Sequence, residues 1–229
     1  MNKQNPNGMI PWADWTWNPI AGCSPISAGC ANCYAAALSE RFSLPWGEAH
    51  FFPERLGQPA KVFPHFADGS PDLENPYRVF VCSMADLGHE TVLPKWREAV
   101  CAAMRAAPWH TYIVLTKRPG KWLESLPAAT WVGVTVEERS QWERADSLVH
   151  WFVGTRFVSV EPMLGPVSPS GMAGPIDWVI AGPETGPGAR PCHDEWIEEL
   201  AGESPCFFDK RKSWKRREFP TKKRKERHE

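Results

Sequence analysis

The sequence predicts an α/β fold, a partial or complete (β/α) TIM-like barrel with parallel strands, and three observations carry that prediction. From residue 77 onward the chain repeats one phrase: a short apolar run rich in β-forming residues, one charged residue, then a turn and usually a helical stretch. The runs are continuously apolar, as in strands buried on both faces. Their starts lie roughly 20 to 35 residues apart, room for a strand and a right-handed crossover to its parallel neighbour.

A first strand is expected over residues 15–20, just before a cysteine-rich loop. After that loop Tyr34, Leu38 and Phe42 recur every fourth position, so a helix starts at the last cysteine of the group. A short strand is expected at 50–53. The repeated phrases then give strands over 78–86, 111–117, 131–137, 156–161, 177–184 and 206–209, six to eight strands in all. Between them, Trp96, Val100, Met104 and Ala107 share one face of a helix over 94–107, and Trp142, Ala145 and Val149 share one over 141–149. The stretch 200–205 is short for a final helix, so the barrel is expected to be trimmed or distorted there.

Composition fits one packed domain over residues 1–209 followed by a basic C-terminal tail over 210–229. The 229 residues carry 26 Lys+Arg against 27 Asp+Glu, but that near-balance hides an asymmetry: the last twenty residues hold eleven Lys+Arg and three Glu. A run such as Lys222-Lys223-Arg224-Lys225 can grip phosphate backbones or simply solvate the chain end. A hydrophobic content of 42% and 23% charged residues exclude a disordered or collagen-like chain. No apolar stretch reaches the length of a membrane span and the first residues lack a signal-peptide core, so the expected location is cytoplasmic, with no membrane partner. Thirteen Trp are expected to fill gaps between elements or to line a cleft. No Walker-type glycine loop and no G-x-S-x-G elbow is present, which disfavours a P-loop nucleotidase and a serine hydrolase.

Seven cysteines form an odd set, poorly suited to a disulfide framework. Three of them, Cys23, Cys30 and Cys33, make a C-x6-C-x2-C pattern with Gly22 and Gly29 beside it, glycines that let the backbone wrap an inorganic centre. A structural zinc would need a fourth ligand, and His50 is the nearest histidine. An iron-sulfur cluster on three cysteines leaves one iron open to bind a substrate or cofactor. The plain alternative is three ordinary buried thiols. In a parallel barrel the site is built at the carboxyl ends of the strands, where the repeated phrases put Asp86, Lys117, Glu137, Glu161, Glu184 and Asp209 around the mouth that the cysteine loop enters.

The ordered motifs Trp17-Asn18-Pro19, Gly22-Cys23, Gly29-Cys30, Cys33-Tyr34-Ala35, Ser83-Met84-Ala85-Asp86-Leu87, Leu115-Thr116-Lys117-Arg118-Pro119, Gly133-Val134-Thr135-Val136-Glu137, Arg156-Phe157-Val158-Ser159-Val160-Glu161-Pro162 and Gly186-Pro187-Gly188-Ala189-Arg190-Pro191 carry a resemblance. The chain resembles the three-Cys-motif family of bacteriophages and prophages, which looks like a branch of the radical SAM superfamily. The resemblance implies a 4Fe-4S cluster on Cys23, Cys30 and Cys33 whose open iron binds S-adenosylmethionine. An external electron donor would reduce the cluster and release a 5′-deoxyadenosyl radical, which takes hydrogen from a substrate.

By position, the resemblance implies that Ser83 and Asp86 meet the methionyl amino group, and that Lys117, Glu137 and Glu161 meet ribose, carboxylate or substrate as the catalytic set. Ile180, Gly182 and Glu184 are similar to the element near adenine, and Arg190 would meet an anionic group. The chain departs from the usual C-x3-C-x2-C spacing, has Asn32 where an aromatic residue commonly precedes the last cysteine, and shortens the Ile180-x-Gly182-x-Glu184 element by one residue. The implied function is a radical enzyme of phage type acting on a polar or nucleotide-like substrate, such as DNA, RNA or a nucleotide. The alternatives are a catalytically inactive zinc- or cluster-bearing nucleic-acid-binding protein, and a structural or defence-related partner protein with a Trp-rich surface.

Overall fold

The computed structural model describes residues 1–6, 8, 10–66, 68–168, 174–211 and 216–220. Eight strands form one sheet in the order β1 (Asn2–Lys3), β2 (Trp15–Trp17), β5 (Arg78–Val81), β6 (Thr111–Thr116), β7 (Trp131–Thr135), β8 (Thr155–Val160), β9 (Trp178–Ala181) and β10 (Phe207–Asp209). From β2 to β10 every neighbouring pair is parallel and in chain order, and only β1 runs antiparallel, against β2. The fold is mixed α/β with a mostly parallel sheet.

Two apolar layers follow from the two-residue period of a strand. Val79 and Val81 of β5, Val114 of β6, Val132 and Val134 of β7, and Val158 and Val160 of β8 face one way, into the larger core. That core also takes Val100 and Met104 of α2 (Pro94–Ala106), Ala145 and Leu148 of α3 (Glu143–Trp151), and Ile197 and Leu200 of α4 (Asp194–Glu203). The intervening residues, Phe80, Ile113, Phe157, Trp178, Ile180 and Phe208, face the other way and form a second core with Ile10, Trp12 and Ala13. Both faces are buried, which is why the strands read as unbroken apolar runs.

The second core curls the sheet. Trp12 packs 4.8 Å from the ring of Phe80 on β5 and 6.5 Å from Trp178 on β9. In a flat sheet β5 and β9 would stand roughly 19 Å apart, four strand spacings. Phe219 bridges the same gap from the far end of the chain, with its ring 5.7 Å from Trp178 and 5.3 Å from Phe208, under the Arg78 guanidinium at 3.8 Å. Gly133 makes this inner packing possible, since a Cβ there would come 2.4 Å from the Phe157 ring.

Three features differ from the sequence reading. The strand expected at 50–53 is β4 (His50–Phe51), but it pairs antiparallel with β3 (Ile20–Ala21) in a separate ribbon because the main sheet passes from β2 directly to β5. The final helix is not cut short: α4 begins at Asp194, six residues before the stretch 200–205, and runs ten residues, burying Ile197, Leu200 and Ala201. Among the described residues the connections β6 to β7 and β8 to β9 hold no α-helix, the first being spanned by a 3-10 helix at Lys121–Ser125. No helix among the described residues is long and apolar enough to cross a membrane. Of the basic end, Lys210, Arg211 and 216–220 pack against the sheet, and the run Lys222-Lys223-Arg224-Lys225 lies outside the described residues.

Candidate functional site

An open cleft of about 220 Å³ lies at the carboxyl edge of the parallel strands, and Cys23, Cys30 and Cys33 all line it. The loop bearing them leaves β3 and closes with Cys33 as the N-cap of helix α1 (Tyr34–Arg41). Its entry is stitched to the end of β5: the Gly22 amide donates to the Met84 carbonyl at 2.9 Å, and the Asn18 carboxamide accepts from the Met84 amide at 3.0 Å and the Ser83 hydroxyl at 3.2 Å. Gly22 has φ +99°, and a Cβ there would meet the Glu48 carbonyl at 1.9 Å, so only glycine fits. On the far side, Tyr34 Oη donates to the Ser83 carbonyl at 2.6 Å.

Glu137 anchors the middle of the loop from behind. Its fully buried carboxylate accepts from the Ser27 hydroxyl at 2.5 Å, from Lys117 Nζ, and from Arg144 Nη1 at 2.8 Å. Burial alone would raise this carboxyl, but Lys117, Ser27 and Arg144 hold it below its ordinary value. Gly29 is the matching surface, since a Cβ there would come 2.4 Å from Glu137 Oε1. Lys117 Nζ continues to Ser27 Oγ at 3.1 Å and Cys30 Sγ at 3.4 Å. Burial of Cys30 opposes its ionisation, yet the Ile26 amide, the Lys117 ammonium and Ser27 together lower its thiol. Cys23 goes the other way, pushed up to about 11 by burial and the Asp86 carboxylate against the pull of Arg118.

The remaining residues singled out in the sequence fall into distinct places. Asp86 lines the cleft but holds the backbone together, accepting from Thr116 Oγ1 at 2.5 Å, the Gly88 amide at 2.8 Å and the Lys117 amide at 3.0 Å. Ser83 also lines the cleft, and Glu161 lines it in an ion pair with Lys210. Glu184 lines it while gripped by Arg190 through Nε at 2.8 Å and the backbone amide at 2.9 Å, a pairing that takes its carboxyl down to about 2. Asn32 ties the cysteine loop to that segment by donating to the Gly188 carbonyl at 3.2 Å. Gly182 serves close approach, because a Cβ there would lie 2.9 Å from Lys210 Cβ. Ile180 is wholly buried in the inner core, and Asp209 is buried under Arg211.

Three contributors escaped the sequence reading. Arg118 reaches Cys23 Sγ at 3.7 Å, Asp86 at 3.4 Å and the Ser24 carbonyl at 3.0 Å, and its only signal was its place after Lys117. Ser24 Oγ also meets the buried His89 Nε2 at 2.8 Å. Lys210, the residue after the last strand, lines the cleft and pairs there with Glu161.

The donor set suits an iron-sulfur cluster: three free, partly exposed thiols line one cleft, with Lys117 beside Cys30 and Arg118 beside Cys23. Among the described residues no three His, Cys, Asp or Glu side chains are gathered closely enough to hold a single metal ion. No curated protein and no solved structure matches the chain. A family model described as a protein of unknown function, DUF5131, matches residues 7–228, and over that nearly complete span the chain belongs to this family.

Proposed function

We propose that the chain is an S-adenosylmethionine-dependent radical enzyme of phage type, with a 4Fe-4S cluster held by Cys23, Cys30 and Cys33 in the mouth of a (β/α) barrel. One observation carries the reading: three partly exposed thiols share a cleft at the carboxyl edge of a curled parallel sheet, the edge where such folds build their sites. Cluster and cofactor together would supply a hydrogen-abstracting radical, given one electron from an external donor.

The chain's own residues do the positioning. Glu137, through Ser27, Lys117 and the bare Cα of Gly29, fixes where Cys30 stands. Arg118 fixes the Cys23 side. Lys117 and Arg118 bring two positive charges against the sulfurs, which favours an anionic cluster and the carboxylate of an amino-acid ligand. Ser83, Asp86, Glu161, Glu184, Gly182, Ile180 and Arg190 belong to the loops and strand ends around the expected cofactor, with Glu161 and Lys210 turned to a polar or nucleotide-like substrate. Production of 5′-deoxyadenosine from S-adenosylmethionine tests the reading. Anaerobically reconstituted, dithionite-reduced protein is expected to form it, and Cys30→Ala to form none. A reconstituted wild type that forms none refutes the proposal.

A further inference from the structure

The inner face of the curled sheet changes character toward the carboxyl edge. Following the two-residue period, Phe157 gives way to Ser159 and then Glu161, Gly133 to Thr135 and Glu137, and Ile113 to Leu115 and Lys117. Thr135 and Ser159 are direct partners across β7 and β8. With Leu115 they form a layer between the aromatic interior and the charged rim, and all three line the cleft. The rings of Trp12, Tyr34 and Phe80 line it too, as does the Glu161–Lys210 pair.

Two polar side chains of this wall lack hydrogen bonds. The hydroxyl of Ser159, a residue 1% exposed, and the indole N–H of Trp12, 3% exposed, have no partner. Buried polar groups are nearly always paired, because leaving one unmade costs more than a made bond gains. The sheet has kept both at the cleft wall, where an apolar side chain would have packed without that cost.

We propose that this floor binds the oxo-bearing edge of a nucleobase. Trp12 Nε1 can only donate, and Lys210 Nζ, which donates one N–H to Glu161, has further N–H donors to offer. Donors of this kind call for carbonyl oxygens on the ligand. Ser159 can donate or accept, and the Glu161 carboxylate accepts a ring N–H beside such a carbonyl. Uracil and guanine carry a carbonyl next to an N–H, whereas adenine carries an amino donor and no carbonyl. The aromatic walls suit a planar ring with a polar edge. The inference deepens the proposed function by naming its substrate class and rests on it only for the reaction, since binding a base needs no cluster.

Titration calorimetry on the full chain, before and after anaerobic reconstitution with iron and sulfide, tests this with uridine, guanosine and adenosine as probes. Uridine or guanosine is expected to bind in both preparations, with adenosine about tenfold weaker for the lost carbonyl contact, and S-adenosylmethionine is expected not to displace the bound nucleoside. Ser159→Ala should weaken binding about fivefold while leaving the melting temperature unchanged or higher, because it removes an unsatisfied buried atom. Trp12→Phe, which keeps a ring and loses the donor, should weaken it by a similar factor. The proposal is overturned if neither oxo-nucleoside binds, if adenosine binds equally well, if S-adenosylmethionine competes, or if Ser159→Ala binds as wild type. Absence of 5′-deoxyadenosine would refute the radical chemistry alone and leave these binding results standing.

Discussion

The two ends of the same parallel strands obey different rules. At the amino ends the inner face is aromatic: Trp131, Phe157, Trp178 and Phe208 pack edge-on and tilted against one another and against Phe219. At the carboxyl ends the same face ends in Lys117, Glu137, Glu161 and Lys210, each committed to a charged partner. The amino end is held by area removed from water, which tolerates neighbours of many shapes if volume is conserved. The carboxyl end is held by pairings that work only if both members arrive in register. The first makes the sheet curl, and the second determines where the cysteines stand.

Substitutions at either end separate stability from cysteine placement. The largest effect on stability is expected at Trp178, whose ring meets five other aromatic residues of the inner core: Trp178→Ala should cost about 4 kcal/mol in urea unfolding. Iron bound per folded molecule should stay at the wild-type level. Glu137→Gln, at the other end, leaves Lys117 and Arg144 facing a neutral amide and should cost about 3 kcal/mol, together with most of the iron retained on Cys30.

Gly29→Ala should cost about 2 kcal/mol, since the new methyl must push the Glu137 carboxylate aside. Its iron content should fall further than that modest loss of stability would suggest, which a paired measurement of melting temperature and bound iron checks. The smallest effect is expected at Glu184. Its carboxyl lies at about 2 in the folded chain against an ordinary 4.5, so its contribution is complete above pH 4.5 and is lost as pH falls toward 2. Arg190 is about a third open to water, and solvent screening reduces the contribution to about 1 kcal/mol. Glu184→Gln should therefore lower stability slightly at pH 7 and flatten the acid limb of a stability-against-pH curve.

Periodicity made much of the fold legible. Trp96, Val100 and Met104 mark the helix that runs as Pro94–Ala106, and six apolar runs mark β5 to β10 to within a few residues. The pairing of His50–Phe51 with Ile20–Ala21 was not legible, because two-residue strands carry no pattern of their own. The start of α4 was missed because its first turn, Asp194 and Glu195 ahead of Trp196 and Ile197, reads as acidic loop until the apolar face is placed on the sheet.

At the site, cysteine spacing and strand-end charges stood out. The partnerships did not. That Glu137 touches Gly29, that Arg118 reaches Cys23, and that Lys210 meets Glu161 depend on the curl bringing distant strand ends together, and no local signal encodes a contact between residues 49 or 95 positions apart. Ser159 and Trp12 were invisible as polar residues for a related reason, since each lies in a stretch whose neighbours are apolar.

The proposed enzyme stands on Cys23, Cys30 and Cys33 acting together as cluster ligands. Iron, acid-labile sulfide and zinc measured together on the full chain after anaerobic reconstitution, alongside Cys23→Ala, Cys30→Ala and Cys33→Ala, test it most directly. About four irons with matching sulfide are expected in the wild type, with loss of most of both in every variant. Stoichiometric zinc without iron, or full iron in any single variant, would contradict it.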